Sequence, residues 1–158
     1  MPPQVKLSAI LEGLEMQGDE IHVLFDRRKG EVLALSDEEL RAADNDDDLS
    51  DYPDWQRESI EQAKAVEADQ TGRFAPLPDR FEIDEWAMMQ DFASSREDEE
   101  LSERLLQAIH GRGAFRYFKD LVYEAGIAND WYEFRNGRYR EIALDWCRDN
   151  GIEVDPDA

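Results

Sequence analysis

Leu7, Ile10, Leu11 and Leu14 recur at helical spacing and Gly18 follows as a stop, which predicts a short amphipathic first helix. Two β-rich runs come next, Glu20 to Asp26 and Glu31 to Leu35, joined by Arg27-Arg28-Lys29-Gly30. That pattern predicts a hairpin whose tip exposes three solvated cations. Ser36-Asp37-Glu38-Glu39 reads as a helix start with an acidic first turn. Beyond Asp44-Asn45-Asp46-Asp47-Asp48, which breaks every period, Pro53 opens a helix expected to run to Ala68. The proline-rich stretch Arg73-Phe74-Ala75-Pro76-Leu77-Pro78 is too short for a central strand and suits an edge strand against the hairpin.

From Phe81 onward the helical signal strengthens. Ile83, Trp86, Ala87, Met89 and Phe92 share one predicted face. Glu97 to Glu100 places negative charge at the start of the next helix, whose apolar side carries Leu101, Leu105, Ala108 and Ile109. Gly111 and Gly113 end it. A helix with Phe115, Phe118 and Val122 then runs to Gly126, and a last one runs from Ala128 or Asn129 to Asn150, capped by Gly151. Phe115, Phe118, Trp131 and Trp146 are expected to pack inward. Residues 155–158 are expected to fray. A hairpin alone is only marginally stable, so it should pack on the helices. The predicted fold is mostly helical α+β: a hairpin or three-stranded antiparallel sheet packed against a C-terminal bundle of about four helices. We expect one domain over residues 1–158, with the acidic loop near residues 44–51 as the only plausible internal boundary.

Composition narrows the partners. Against 18 Lys and Arg stand 39 Asp and Glu, a net charge of -21 over 158 residues, while the hydrophobic fraction of 41% still allows a sizeable core. Such a charge repels nucleic acid and anionic membranes within roughly the 8 Å screening length. It favours cationic partners or simply keeps the chain in solution. With one cysteine no intrachain disulfide forms, no apolar run approaches a membrane span, and the N-terminus does not look like a secretory signal. The expected location is cytoplasmic.

Chemistry-bearing motifs are few. Asp44, Asp46 and Asp48 alternate as in a calcium loop, but Leu49 and Trp55 stand where glycine and glutamate are required. His22 and His110 have no ligand neighbours at metal spacing, and Cys147 reads as a small buried hydrophobe. No catalytic residue, metal site or cofactor is assigned. Gly111, Arg112, Gly113 and Arg116 do meet the physical needs of an anion site, with free N–H groups at a helix start beside two guanidinium groups. A tight turn between helices needs the same glycines. Arg112, Arg116, Lys119, Arg135, Arg138 and Arg140 are interleaved with Asp120, Glu124, Asp130 and Glu133, which argues against duplex binding. Tyr117, Lys119, Tyr132, Arg135, Arg138 and Tyr139 are the candidate partner contacts, since tyrosine and arginine are enriched at binding hot spots.

The run Gly111 to Asp120, then Trp131-Tyr132-Glu133-Phe134-Arg135, then Ala143-Leu144-Asp145-Trp146 resembles the bacterial uncharacterised protein family UPF0158, as do Gly30-Glu31-Val32 and Leu77-Pro78. The resemblance covers most of the chain. It implies a bacterial cytoplasmic setting and brings no activity, substrate or catalytic residue. The expected function is a non-catalytic acidic interaction or regulatory protein that docks a protein partner through its arginine-aromatic C-terminal face. Two alternatives stay open: a nucleic-acid mimic that inhibits a basic protein, and a phosphate-binding domain using the Gly111–Arg116 turn.

Overall fold

A computed structural model of the chain describes residues 4–155. The architecture is mostly helical α+β with a small three-stranded antiparallel sheet. The chain divides into two compact units, Met1–Arg80 with Ala143–Ala158, and Phe81–Ile142. The acidic loop lies inside the first unit, so the internal boundaries fall elsewhere than that loop. No helix of the described residues is long and apolar enough to cross a membrane.

In the first unit, β1 (Gln4–Lys6) leads into α1 (Leu7–Met16), and the hairpin follows as β2 (Ile21–Asp26) and β3 (Glu31–Ser36). Next come α2 (Asp37–Asp44), a 3-10 turn at Leu49–Asp51, α3 (Asp54–Ala68) and β4 (Phe74–Pro76). β4 pairs antiparallel with β2, aligning Phe25 with Ala75, and gives the order β3-β2-β4. Pro76 donates no N–H, so an edge is where such a strand is tolerated. α1 buries Leu7, Ile10 and Leu14. It approaches the sheet closely because Gly13 has no side chain: a Cβ there would sit 2.8 Å from Leu77 Cδ2 and 3.1 Å from Val23 Cγ1.

Ser36 and Glu39 start α2 with a reciprocal capping box, the Glu39 N–H donating to Ser36 Oγ (3.2 Å) and the Ser36 N–H to Glu39 Oε1 (2.9 Å). We expect Ser36→Ala to cost about 1 kcal/mol in a urea titration; an unchanged midpoint would mean that the box contributes nothing. Gln17 is buried at the end of α1 and uses its whole amide. Nε2 donates to the Leu77 and Pro78 carbonyls, and Oε1 accepts from the Val23 N–H.

Two expectations change in this unit, and one buried ion pair is added to them. Arg27 is not a solvated tip residue: it donates to the carbonyls of Gly72 (3.0 Å) and Asn150 (2.6 Å). Asp26, at the end of β2, is buried and held by Arg73. The C-terminal segment does not fray from Asp155. Glu153–Asp155 forms β5, parallel to β1, with Val5 opposite Val154. The rest of the expected frayed tail, 156–158, lies outside the described residues. Trp146 packs edge-on against Phe25 at 6.3 Å and its indole N–H donates to the Pro76 carbonyl.

The second unit holds most of α4 (Arg80–Ile83), then α5 (Glu85–Ser94), α6 (Glu99–Ala108), α7 (Ala114–Glu124) and the first part of α8 (Ala128–Asp149). Asp84 takes a left-handed conformation and caps α5 through its carboxylate, accepting from the Ala87 N–H. That turn resets the helical phase. Met88, Met89, Phe92 and Ala93 are buried, whereas Phe81 is fully in solvent and Trp86 and Ala87 are half-buried. Asp98 caps α6 through the Leu101 N–H. α7 and α8 each end in the paired bonds of a Schellman motif. At α7 these are Gly126 N–H to Tyr123 O and Ile127 N–H to Val122 O; at α8, Gly151 N–H to Arg148 O and Ile152 N–H to Cys147 O. Phe92 is the centre of the core, with Phe118, Trp131 and Phe134 around it at 5.4 to 6.2 Å.

Candidate functional site

α7 shows why its residues face as they do. Phe118 and Val122, one turn apart, are buried and set the inward direction. Phe115, Arg116, Lys119 and Tyr123 then share one flank by i, i+3 and i+4 spacing. Tyr117, Asp120 and Glu124 follow a second stripe. Asp120, four residues after Arg116, borders the basic flank, so acids and bases adjoin on the helix surface. Glu124 meets Arg104 of α6 at 4.0 Å.

Before α7 the chain passes through Gly111 and Gly113, at φ 120° and 74°. The first helical bond runs from the Tyr117 N–H to the Gly113 carbonyl (2.9 Å). The Tyr117 ring lies against Gly113, where a Cβ would come within 3.3 Å of it. Arg112 and Arg116 are exposed beside this turn, and their side chains and that of Lys119 make no hydrogen bond or ion pair among the described residues. The structure therefore brings Gly111, Arg112, Gly113 and Arg116 together on an open surface. A cavity of about 340 Å³ in this unit lies at the other end of α6, lined by Arg96, Asp98, Leu101 and Ile127 among others. His110 is exposed and meets the Trp86 ring edge at 5.8 Å, while the Trp86 N–H donates to the Ile109 carbonyl at the end of α6.

The six residues expected to contact a partner separate into two groups. Tyr117 (58% exposed), Lys119 and Tyr132 (37%) face solvent. Arg138 is half-exposed and pairs with Asp91 at 3.2 Å, its guanidinium over the Phe134 ring. Arg135 and Tyr139 are tied to Glu85 instead, Tyr139 buried and Arg135 half-buried. Tyr139 is 6% exposed, and its hydroxyl donates to Glu85 Oε1 (2.6 Å), which also accepts from Arg135 Nε (2.7 Å). The Arg135–Tyr139 pair is one helical turn apart and readable from spacing, but its anchor Glu85 lies 50 residues away.

Two exposed rings complete the face. Phe115, expected inward, is 48% exposed, because inward-facing Phe118 and Val122 place it on the flank. Tyr123 is 61% exposed and meets Tyr132 of α8, hydroxyl to hydroxyl at 3.1 Å and ring centroids at 6.5 Å. The shared hydrogen bond raises the Tyr123 phenol above its ordinary value. Spacing placed Tyr123 off the Phe118–Val122 line, and the structure turns it to solvent.

Elsewhere, His22 is exposed and paired with Asp37. Cys147 is buried, and burial pushes its thiol up to about 11, far from the range of a reactive thiolate. Among the described residues no three His, Cys, Asp or Glu side chains are placed to hold a metal ion.

Known proteins add a family. A curated relative, a UPF0158 protein of Pseudomonas aeruginosa, is 39% identical over 67 residues, which are 42% of this chain and 44% of that relative. The chain thus spans less than half the length of the curated relative it matches. No solved structure matches it. The family model described as "Uncharacterised protein family (UPF0158)" covers residues 1–156, so the chain belongs to the UPF0158 family.

Proposed function

We propose that this chain is a non-catalytic interaction protein that docks a protein partner through the exposed arginine-aromatic face of α7 and the start of α8. One observation carries the reading. Phe115, Tyr123 and Tyr132 hold large rings in solvent beside Arg112, Arg116 and Lys119, whose cations make no ion pair among the described residues. Leaving apolar ring area in water costs free energy that a bound partner would recover. Aromatic and arginine side chains are also the types that dominate binding energy at interfaces. The acidic remainder of the molecule keeps it soluble and steers partners with cationic surface. A cytoplasmic setting suits the single buried thiol.

The test is affinity capture from cells that express the protein, with the native chain and Tyr123→Ala/Tyr132→Ala as baits. Both positions are exposed, so the variant should fold with an unchanged circular dichroism spectrum. We expect at least one protein to be captured by the native chain and depleted about tenfold or more by the variant, the loss of one hot-spot residue. Identical captured sets would remove this face from consideration.

A further inference from the structure

We propose that the α7 flank formed by Arg112, Phe115, Arg116, Lys119 and Tyr123, extended by Tyr132 of α8, takes an acidic amphipathic segment of the partner protein. The inference rests on the docking reading above and specifies the chemistry of what docks. Its first support is the fate of cations. With 39 carboxylate residues against 18 Lys and Arg, a cation in this chain has abundant partners. In the same unit Arg104, Arg135 and Arg138 each pair with a carboxylate, while Arg96 donates to the Phe92 carbonyl and to Ser95 Oγ instead. Among the described residues the side chains of Arg112, Arg116 and Lys119 pair with none, and these three stand close together in sequence, unlike Arg140, which is unpaired alone on α8. Their like charges repel, and a carboxylate brought by a ligand would add to the relief that Asp120, one turn from Arg116 on the same helix, supplies.

Rings on the same flank supply the second support. Phe115 has no polar atom in its side chain, yet half of it is exposed, and the exposed Tyr123 ring lies two turns further along. A ligand that matches both features offers carboxylates and apolar side chains side by side, as one edge of an amphipathic helix does. Length agrees too. α7 has 11 residues, about 16 Å at 1.5 Å per residue, the span of roughly three helical turns of a partner. The acids of α7 do not occupy the whole surface, since Glu124 lies on the second stripe toward Arg104.

A nucleic acid fits less well. Its affinity grows with the number of phosphates neutralised, and this flank offers three cations on a body of net charge -21. A short acidic segment meets the local field of the flank while presenting few charges to the rest.

Fluorescence anisotropy with the full chain tests the idea. The probe is a labelled amphipathic peptide of about 16 residues, long enough for four helical turns, with glutamate along one flank and leucine and phenylalanine along the other. A version with glutamine for every glutamate and an oligothymidylate of similar length serve as comparison probes. We expect the acidic peptide to bind with a Kd on the order of micromolar. Arg116→Glu/Lys119→Glu and the glutamine peptide should each weaken binding about tenfold or more. Equal binding of the two peptides, binding unchanged by the charge reversal, or tighter binding of the oligothymidylate would overturn the inference. The two readings fail separately. Capture lost with Tyr123→Ala/Tyr132→Ala but retained with the charge reversal would keep the docking face and refute its acidic partner, whereas capture unchanged by either variant would refute the docking face itself.

Discussion

Phe92→Ala is expected to cost about 4 kcal/mol, the middle of the range for emptying a fully buried phenylalanine site. Phe92 has no exposed surface and touches Phe118, Trp131 and Phe134, three rings contributed by α7 and α8. Its ring also carries the Arg96 guanidinium at 3.8 Å, and the Phe92 carbonyl accepts from Arg96 Nε, which together tie down the chain after α5. The cavity left by alanine cannot close easily. Phe118 and Trp131 already meet each other at 4.8 Å and are anchored on separate helices. Trp131 has a further handicap, since its indole N–H is buried with no hydrogen-bond partner, so ring contacts alone hold it. Urea unfolding followed by tryptophan fluorescence measures the effect. A loss below about 1 kcal/mol would mean that the rings do not form one packed core. Phe92→Leu should cost roughly half as much, because it keeps most of the apolar volume.

Asp26→Ala is the second large effect, expected at about 3 kcal/mol, the usual loss when one member of a buried ion pair is removed. The Asp26 carboxylate is buried and accepts four hydrogen bonds. Two come from Arg73, Nε and a terminal nitrogen at 2.8 Å each, and two from the N–H groups of Arg28 (3.0 Å) and Lys29 (3.4 Å) in the hairpin turn. Alanine would strand the partly buried Arg73 guanidinium and two turn donors. Asp26→Ala/Arg73→Ala should cost less than the sum of the single changes, as a pair in direct contact requires. Strict additivity would show that the pair contributes nothing as a pair.

The same residue sets part of the acid limit of stability. The Arg73 hydrogen bonds, aided by the turn N–H groups, hold the Asp26 carboxyl below its ordinary value against the opposing effect of burial. The unfolded chain therefore takes up this proton at a higher pH than the folded one. The stabilisation is complete above the unfolded value near 3.9 and is lost as pH falls through the lower folded value. Asp69 behaves alike: N–H donation from Phe74 and Thr71 holds it at about 2. Thermal melts from neutral pH down to about pH 2 should show a steep acid limb in the native chain and a shallower one in Asp26→Asn. Equal slopes would exclude Asp26 as a contributor.

Much of this was legible along the chain because the signals are local. The apolar period of α1, the hairpin, the Ser36–Glu39 cap and the terminal glycines of α7 and α8 each depend on residues within one or two turns of one another. The structure agrees with all of them. Of the face expected after Phe81, Ile83, Met89 and Phe92 are buried and Trp86 and Ala87 half-buried, while Met88 joins the core unforeseen; the left-handed Asp84, at a turn that glycine more commonly occupies, is not marked in the apolar pattern. The candidate face was half legible. Exposed Tyr117, Lys119 and Tyr132 follow from residue type, while Arg135 and Tyr139 have the same type and are tied to Glu85.

By itself the sequence determined the order and kind of the main elements, the acidic charge and the family to which the chain belongs. It could do so because hydrogen bonding within a helix or hairpin and the period of burial act over a few residues. Only the tertiary structure decided which charges are spent. Arg73 reaches Asp26 across 47 residues and Arg135 reaches Glu85 across 50, while Gln4 and Glu153 meet across 149. Such pairs form where folding brings distant backbone together, and an arginine looks the same in the chain whether a carboxylate awaits it or not. That difference ties Arg135 to Glu85 and leaves the side chains of Arg112, Arg116 and Lys119 without an ion pair among the described residues.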